Sequence, residues 1–473
     1  MFFVLSVALI SWTAIQIYLR GARGGLWWGW LAALLLVPSW FVVHVGALTV
    51  DMRTIIAITG LAGLLLFGRR GMQHHWLAAD SFLAALVVEQ IASEYEAGQF
   101  GLLTAAEVAR VWLLPYLVGR CFLGSSRDVN RVLPAFAWMT LVLSLYGIIE
   151  AVTHVNPLNE LLAKIYGLLE EGQGYRWGLK RAQAFFDHPI YFGYLLVLVL
   201  PWVLQARRQA LRGDGPSWWK LLPFLVAGAL ICTASRGPLI AGALSVCVPG
   251  LLARPRWWVP VLGLSIVAAA GMVLFQDTIV DSLAQWAGED PKQPVPLIIG
   301  GQEMDYTGTS HRLILFQAYE GPVIRLGPLG YGSLLLDDKM DEVPARLRSI
   351  DDHYLLFLLQ RGPLGLGLFV LLALVTLINL VRSALDAGSP TADLAAGLFG
   401  AMTFVTLMLF TVWFAPDFGV VWLFVAGLAS NLQSLRASSS RGNSASEEVG
   451  VGPRPRLGPG HAPCVNTNGG DDK

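Results

Sequence analysis

The reading turns on one stretch, Thr307 to Gly365. It opens TGTSHRLILFQAYEGPVIRLGPLGYG (307–332), passes through a mixed acidic and basic run, and closes RSIDDHYLLFLLQRGPLG (348–365). It leaves a polar loop and ends inside a long apolar run. It is the longest polar interval in a chain otherwise built mostly of segments apolar enough to cross a bilayer. It carries Arg312, Arg325, Arg346, Arg348, Asp351, Asp352 and His353. A membrane protein with chemistry at one of its faces would put it in such an interval.

Composition fixes the class around this stretch. Of 473 residues, 55% are hydrophobic and 14% charged, and the mean hydropathy is +0.57. Soluble chains are roughly a quarter charged, so this is an integral membrane protein. Formal net charge is zero, which names no charged partner, and no nucleic acid is expected. Cys121, Cys232, Cys247 and Cys464 show no ligand spacing and no disulfide framework. The first apolar segment lacks a basic leader and a small-residue cleavage site, so it reads as a retained span.

A spanning helix takes about 20 apolar residues, and about twelve to thirteen candidates emerge. They lie near 2–19, 26–48, 54–68, 76–93, 102–123, 132–153, 188–206, 217–235, 237–253, 257–275, 353–383, 391–415 and 418–434. Gly362-Pro363 interrupts the eleventh and predicts a kink. Alternate loops carry Arg20/Arg23, Arg69/Arg70, Arg120/Arg127/Arg131, Arg207/Arg208/Arg212/Lys220, Arg254/Arg256 and Arg382. Short basic loops stay cytoplasmic. The C-terminus is therefore expected inside and the 276–352 loop outside. Residues 1–435 form the membrane domain, with outer loops 154–187 and 276–352. NPLNELLAKIYGLLEE in the first of these predicts an amphipathic helix at the interface. Residues 436–473, rich in Ser, Gly and Pro, read as a disordered cytoplasmic tail.

Four outer elements carry candidate chemistry. They are Lys180-Arg181 ahead of Phe185-Phe186-Asp187-His188-Pro189, the turn Thr233-Ala234-Ser235-Arg236-Gly237, Arg312 heading HRLILFQAYE before PLGYG, and Asp351-Asp352-His353-Tyr354 at the head of the eleventh span. Guanidinium groups suit bidentate phosphate contacts and stay charged when partly desolvated. Three arginines at outer helix ends predict a pocket for a polyanion. Deeper, Glu89 and Arg110 fall at similar depth and predict a structural ion pair between spans four and five, near Glu107. His44, His74, His75 and His461 read as incidental. His188, His311 and His353 are too dispersed to argue for zinc, and no metal is expected.

These motifs together resemble the O-antigen ligase / O-antigen polymerase superfamily of bacterial envelope proteins. KRAQAFFDHPIYFGYLLVLVLP, TASRGPLIAG, HRLILFQAYEGPVIRLGPLGYG and IDDHYLLFLLQRGPLGLG are similar, in order, to that family's four motifs, over roughly 175–370. The resemblance implies an all-α polytopic fold of the glycosyltransferase C type. It also implies transfer of a glycan from a polyprenyl-diphosphate (undecaprenyl-type) donor at the outer face of the membrane. Arg181, Arg236 and Arg312 would then hold the diphosphate, with Asp352 and Tyr354 beside the substrate.

One position departs from the family pattern. Counting back from Gly362, the family's histidine falls on Asp351 and its asparagine on Asp352, while His353 stands two residues on. Asp351 is therefore the first candidate base and His353 the second. The departure tilts the reading toward a polymerase or exopolysaccharide member. The acceptor, a further glycan, lipid A core or a protein hydroxyl, stays open. The alternatives are a transporter or flippase for lipid-linked glycan and a non-catalytic subunit of a polysaccharide export complex.

Overall fold

The computed structural model of the chain describes residues 2–38, 41–46, 48–68, 75–166, 174–176, 178–254, 256, 295–299, 302–306, 311–333, 343–344, 347–386, 389–414 and 416–448. The expected tenth span at 257–275, the loop residues 276–294, Arg346 and the tail beyond 448 lie outside the described residues. The helices are α1 (Phe2–Leu36), α2 (Met52–Phe67), α3 (Ala78–Glu96), α4 (Leu102–Cys121), α5 (Asp128–Thr153), α6 (Pro157–Tyr166), α7 (Pro189–Arg212), α8 (Leu222–Cys232), α9 (Arg236–Leu252), α10 (His311–Ala318), α11 (Glu320–Ile324), α12 (His353–Ala384), α13 (Ala392–Met408) and α14 (Pro416–Glu448). Among the described residues, three antiparallel hairpins join them: β1 (Val42–Val45) with β2 (Leu48–Asp51), β3 (Tyr175–Arg176) with β4 (Leu179–Lys180), and β5 (Val295–Ile299) with β6 (Gln302–Tyr306). Among the described residues, seven helices are long and apolar enough to cross a membrane, and α2, α8 and α9 are shorter apolar helices.

Two expected boundaries move. The second apolar segment, read as 26–48, is helical only to Leu36. Beyond Pro38 the β-branched run Val42-Val43 pairs with Val50-Asp51 across a turn at Gly46, where φ is 60°. At the other end, α14 continues to Glu448, past the boundary drawn at 435. Within α1, Gly21 (φ 79°, ψ 172°) turns the chain back on itself. Trp12 then meets Trp28 edge-on at 6.4 Å, and a Cβ on Gly29 would meet Thr13. The basic turn Arg20/Arg23 is thus a true hairpin between two antiparallel halves.

Lipid tails are as apolar as the helices, so close backbone packing and buried polar contacts must hold such a bundle together. α4 and α14 run parallel with Gly119 and Gly427 at their crossing. A Cβ on Gly119 would sit 2.7 Å from Leu428 N, and one on Gly427 3.0 Å from Arg120 N. At one pole, Arg120 donates two bonds to Asp80 (Nε–Oδ1 2.9 Å, Nη2–Oδ2 2.9 Å) and one to Ser434 Oγ at 3.0 Å. Tyr116 Oη donates to the same carboxylate at 2.7 Å. Arg208–Asp393 (2.7 Å) pairs α7 with α13, and Arg436–Asp386 (3.5 Å) pairs α14 with the segment just after α12. Arg120, read as a loop charge, is therefore a buried strut.

The opposite pole carries the other cluster. The expected Glu89–Arg110 pair does not form. Arg110 bonds Glu107 one turn away on its own helix, faces Asp51 at 3.7 Å and donates to Thr54 Oγ1 at 3.0 Å. Rise per residue addresses position along a helix axis but not the azimuth around it. Glu89 instead lies beside Arg361 and Glu94, and neither of its oxygens accepts a hydrogen bond.

The eleventh span is more than kinked. Within α12, Gly362 (φ 66°, ψ −179°) leaves helical geometry. Pro363 has no N–H to offer the carbonyl of Leu359. Tyr331 N takes that role at 2.8 Å, and Gly332 N and Ser93 Oγ donate to Gln360 O at 3.0 and 3.1 Å. Leu364 N donates to Pro328 O at 3.4 Å. Each such group left bare would cost roughly 1–3 kcal/mol. The PLGYG motif is thus a plug in a broken membrane helix. Gly330 (φ 78°) is required there, since a Cβ would sit 2.5 Å from Gly362 N.

Candidate functional site

The site gathers at the pole that holds the amino ends of α7, α9 and α12. α7 and α9 run parallel, with Gly193 against Pro238 and Gly237 against Tyr194. A Cβ on Gly237 would also lie 3.8 Å from Met408 Sδ at the end of α13. Two residues earlier on α13, Thr406 O accepts from Tyr354 Oη at 2.8 Å. The turn before α9 and the head of α12 therefore share one neighbourhood.

Its first part is a shelf of guanidinium groups. The turn Thr233-Ala234-Ser235 is held by Thr233 Oγ1 donating to Leu230 O (2.8 Å) and accepting from Ser235 N (3.2 Å). Ala234 takes φ 47°, a conformation uncommon outside glycine. Arg176 Nη1 donates to Ala234 O at 3.2 Å. Arg181 donates from Nη2 to Ser235 Oγ at 3.0 Å and from Nε to Thr233 O at 3.4 Å. These acceptors are neutral, and no carboxylate pairs with Arg176 or Arg181 among the described residues. Arg236, half-buried, heads α9 beside them.

The electrostatics at Arg181 reflect burial and like charge. Burial, with the Arg176 charge adding, pushes the Arg181 guanidinium down to about 10. Burial, then Arg181 and Arg176, pushes His188 down to about 4. His188 is therefore neutral near pH 7. Its Nδ1 accepts from Ile190 N at 3.1 Å and caps α7. Beneath the shelf, Glu150 of α5 is fully buried. It accepts from Gln183 N (3.1 Å), Ala184 N (2.7 Å) and Asn156 Nδ2 (3.0 Å), fixing the loop that carries Arg181. The reading of candidate residues missed Arg176 and Glu150. The available signals were a basic residue one hairpin from Arg181 and a lone carboxylate late in an apolar run.

The second part is a cavity of about 520 Å³ between α3, α4 and the first half of α12. His353 lines it and is buried, and neither ring nitrogen has a hydrogen-bond partner. Its ring lies nearly parallel to Phe414 at 4.9 Å and edge-on to Phe369 at 5.0 Å. Arg361 and Glu94 pair at 2.6 Å in the same wall. A run of rings, His188–Tyr191–Phe418–Phe414–His353, joins the two parts with centroid spacings of 5.8, 6.1, 5.9 and 4.9 Å.

The remaining sequence candidates fall around these two parts. Asp351 is exposed and does not line the cavity. Asp352, rather than Asp351, caps α12, accepting from Leu355 N at 3.0 Å. Tyr354 faces a different, apolar groove with Phe316, Val323 and Phe410. Arg312 belongs to α10, and its side chain lies outside the described residues. α10 and α11 dock through Ile314, Leu315 and Tyr319 onto Leu355 and Leu359 of α12. Among the described residues, no three His, Cys, Asp or Glu side chains converge as metal ligands.

A scan against protein-family models returns no match, and neither does a search of curated proteins. Fold and composition define the class: a helical, polytopic membrane protein. The finer assignment has to come from the site.

Proposed function

We propose that this chain transfers a glycan from a polyprenyl-diphosphate donor to an acceptor hydroxyl at the outer face of a bacterial inner membrane, in O-antigen or exopolysaccharide assembly. The observation that carries the reading is the shelf of Arg176, Arg181 and Arg236. It is half-buried, and its Arg176 and Arg181 are hydrogen-bonded to neutral groups with no carboxylate partner among the described residues. A diphosphate is the ligand whose charge and geometry meet it. Fixed donors aimed at developing negative charge stabilise a transition state without reorganising.

In this scheme the acceptor oxygen attacks the anomeric carbon, and the bond from that carbon to the diphosphate oxygen breaks. The diphosphate leaves with the electron pair onto the arginines. The acceptor proton goes to a base. What supports His353 over Asp351 in that role is its unpartnered imidazole in a cavity wall, against the exposed position of Asp351. The test is turnover by purified protein of a synthetic polyprenyl-diphosphate glycan with an acceptor glycan, in chelator, read as a new glycosidic linkage by mass spectrometry. Absence of any new linkage with folded protein rejects the reading.

A second reading, transport of lipid-linked glycan, has one observation in its favour. Broken helices and buried charges mark transporter sites, and α12 is broken at Gly362 beside Glu89, Glu94 and Arg361. Translocation of the donor across proteoliposomes without a new bond would establish it. A non-catalytic assembly subunit predicts neither result.

A further inference from the structure

We propose that the cavity beneath Ser333, between α3, α4 and the first half of α12, binds a neutral sugar residue. Four observations point there, and none involves the arginine shelf.

The first is a set of buried polar atoms without partners. His353 Nδ1 and Nε2 make no hydrogen bond, and neither do Gln90 Nε2 and Gln99 Nε2, all three side chains lining the cavity. His353 is 4% exposed and Gln90 3%. Buried polar groups are nearly always paired, so unpartnered ones aimed into a cavity mark where a ligand supplies the partner. The second is the chemistry of those atoms. The amide groups donate, while the neutral imidazole offers one donor and one acceptor. Sugar hydroxyls donate and accept at once, which suits such a mixed wall; an alkyl chain would leave every one of these atoms bare.

The third is charge. Glu94 is paired with Arg361 at 2.6 Å, and Glu107 with Arg110. The carboxylates in the wall are thus already compensated, and among the described residues lining it no cation is left over for an anion. A phosphate would meet carboxylate oxygens here, whereas the shelf across the ring run offers it guanidinium groups. The fourth is shape. The cavity, about 520 Å³, falls within the rough 300–1,000 Å³ range of small-molecule sites. Trp413, 41% exposed and lining the cavity, supplies a flat apolar face for the C–H side of a pyranose ring. Binding stands on the cavity alone. Its use as the acceptor subsite rests on the glycan-transfer reading.

The experiment uses the full chain in nanodiscs and a panel of methyl glycosides of neutral hexoses, 6-deoxyhexoses and N-acetylhexosamines, with methyl glucuronide and pyrophosphate as anionic probes. Saturation-transfer NMR and tryptophan quenching read binding. At least one neutral glycoside should bind, with affinity reduced tenfold or more in Gln90→Leu and in Trp413→Ala. Trp413 is at the rim, so its variant tests the site even if Gln90→Leu fails to fold. Arg181→Ala should leave glycoside binding within twofold while weakening pyrophosphate binding. No neutral glycoside binding, equal binding by both site variants, or preference for the glucuronide overturns the proposal. Glycoside binding without turnover of the lipid-linked donor keeps the sugar site and removes the transferase reading.

Discussion

Replacing Arg181 with alanine tests the anion shelf directly. In the folded protein this guanidinium is held by Ser235 Oγ and Thr233 O, while burial and Arg176 both work against its charge. Removing it therefore costs two hydrogen bonds to neutral acceptors but relieves desolvation and repulsion, and the protein without donor should keep its thermal midpoint within a few degrees. Binding of a diphosphate should respond differently. A charge-assisted contact contributes roughly 1.5–3 kcal/mol, and partial exposure of Arg181 brings the value toward the lower part of that range. About 2 kcal/mol corresponds to about thirtyfold in dissociation constant. Arg181→Lys keeps the charge but loses the planar fork that spans ligand and turn at once, so it should recover only a minor part of the loss. The assay is titration of a fluorescent polyprenyl-diphosphate analogue into the solubilised protein at two salt concentrations. Unchanged affinity in Arg181→Ala would refute the shelf. A large drop in thermal midpoint would show instead that Arg181 is a structural strut.

Three further outcomes follow from particular contacts. His188 has its folded pKa near 4, below the ordinary 6.5, so unfolding takes up a proton. The stabilisation is full above about pH 6.5 and is lost as pH falls toward 4, up to about 3 kcal/mol. Thermal unfolding should show a shallower acid dependence in His188→Gln. Gly330→Ala places a Cβ 2.5 Å from Gly362 N at a positive φ, so the plug should leave the break in α12; protease sensitivity near residues 328–333 with lowered folded yield would report it, and wild-type resistance would contradict it. His353→Ala should lower transfer at least roughly a hundredfold, as loss of a general base does, while Asp351→Asn stays within a few-fold; steady-state rates in the reverse order would return the base to Asp351.

Composition and hydropathy by themselves determined the class, most of the helix positions and the turn of α1 at its basic residues, because the bilayer demands long apolar segments with satisfied backbones. They also marked Arg181, Arg236 and the Gly362-Pro363 interruption as unusual. What the linear pattern lacks is azimuth. Period and depth put Glu89 level with Arg110, yet which neighbour a side chain faces depends on helix rotation and crossing, and Arg110 turned to Glu107 and Asp51. The same holds for the hairpin at Val42–Asp51, where hydrophobicity alone did not distinguish strand from helix. Only the tertiary structure paired PLGYG with the break in α12, set Arg176 beside Arg181, and turned His353 into a cavity while Asp352 took the cap. The PLGYG contacts and the cavity around His353 join residues distant in sequence, and their geometry is decided by how helices pack rather than by what any one segment prefers.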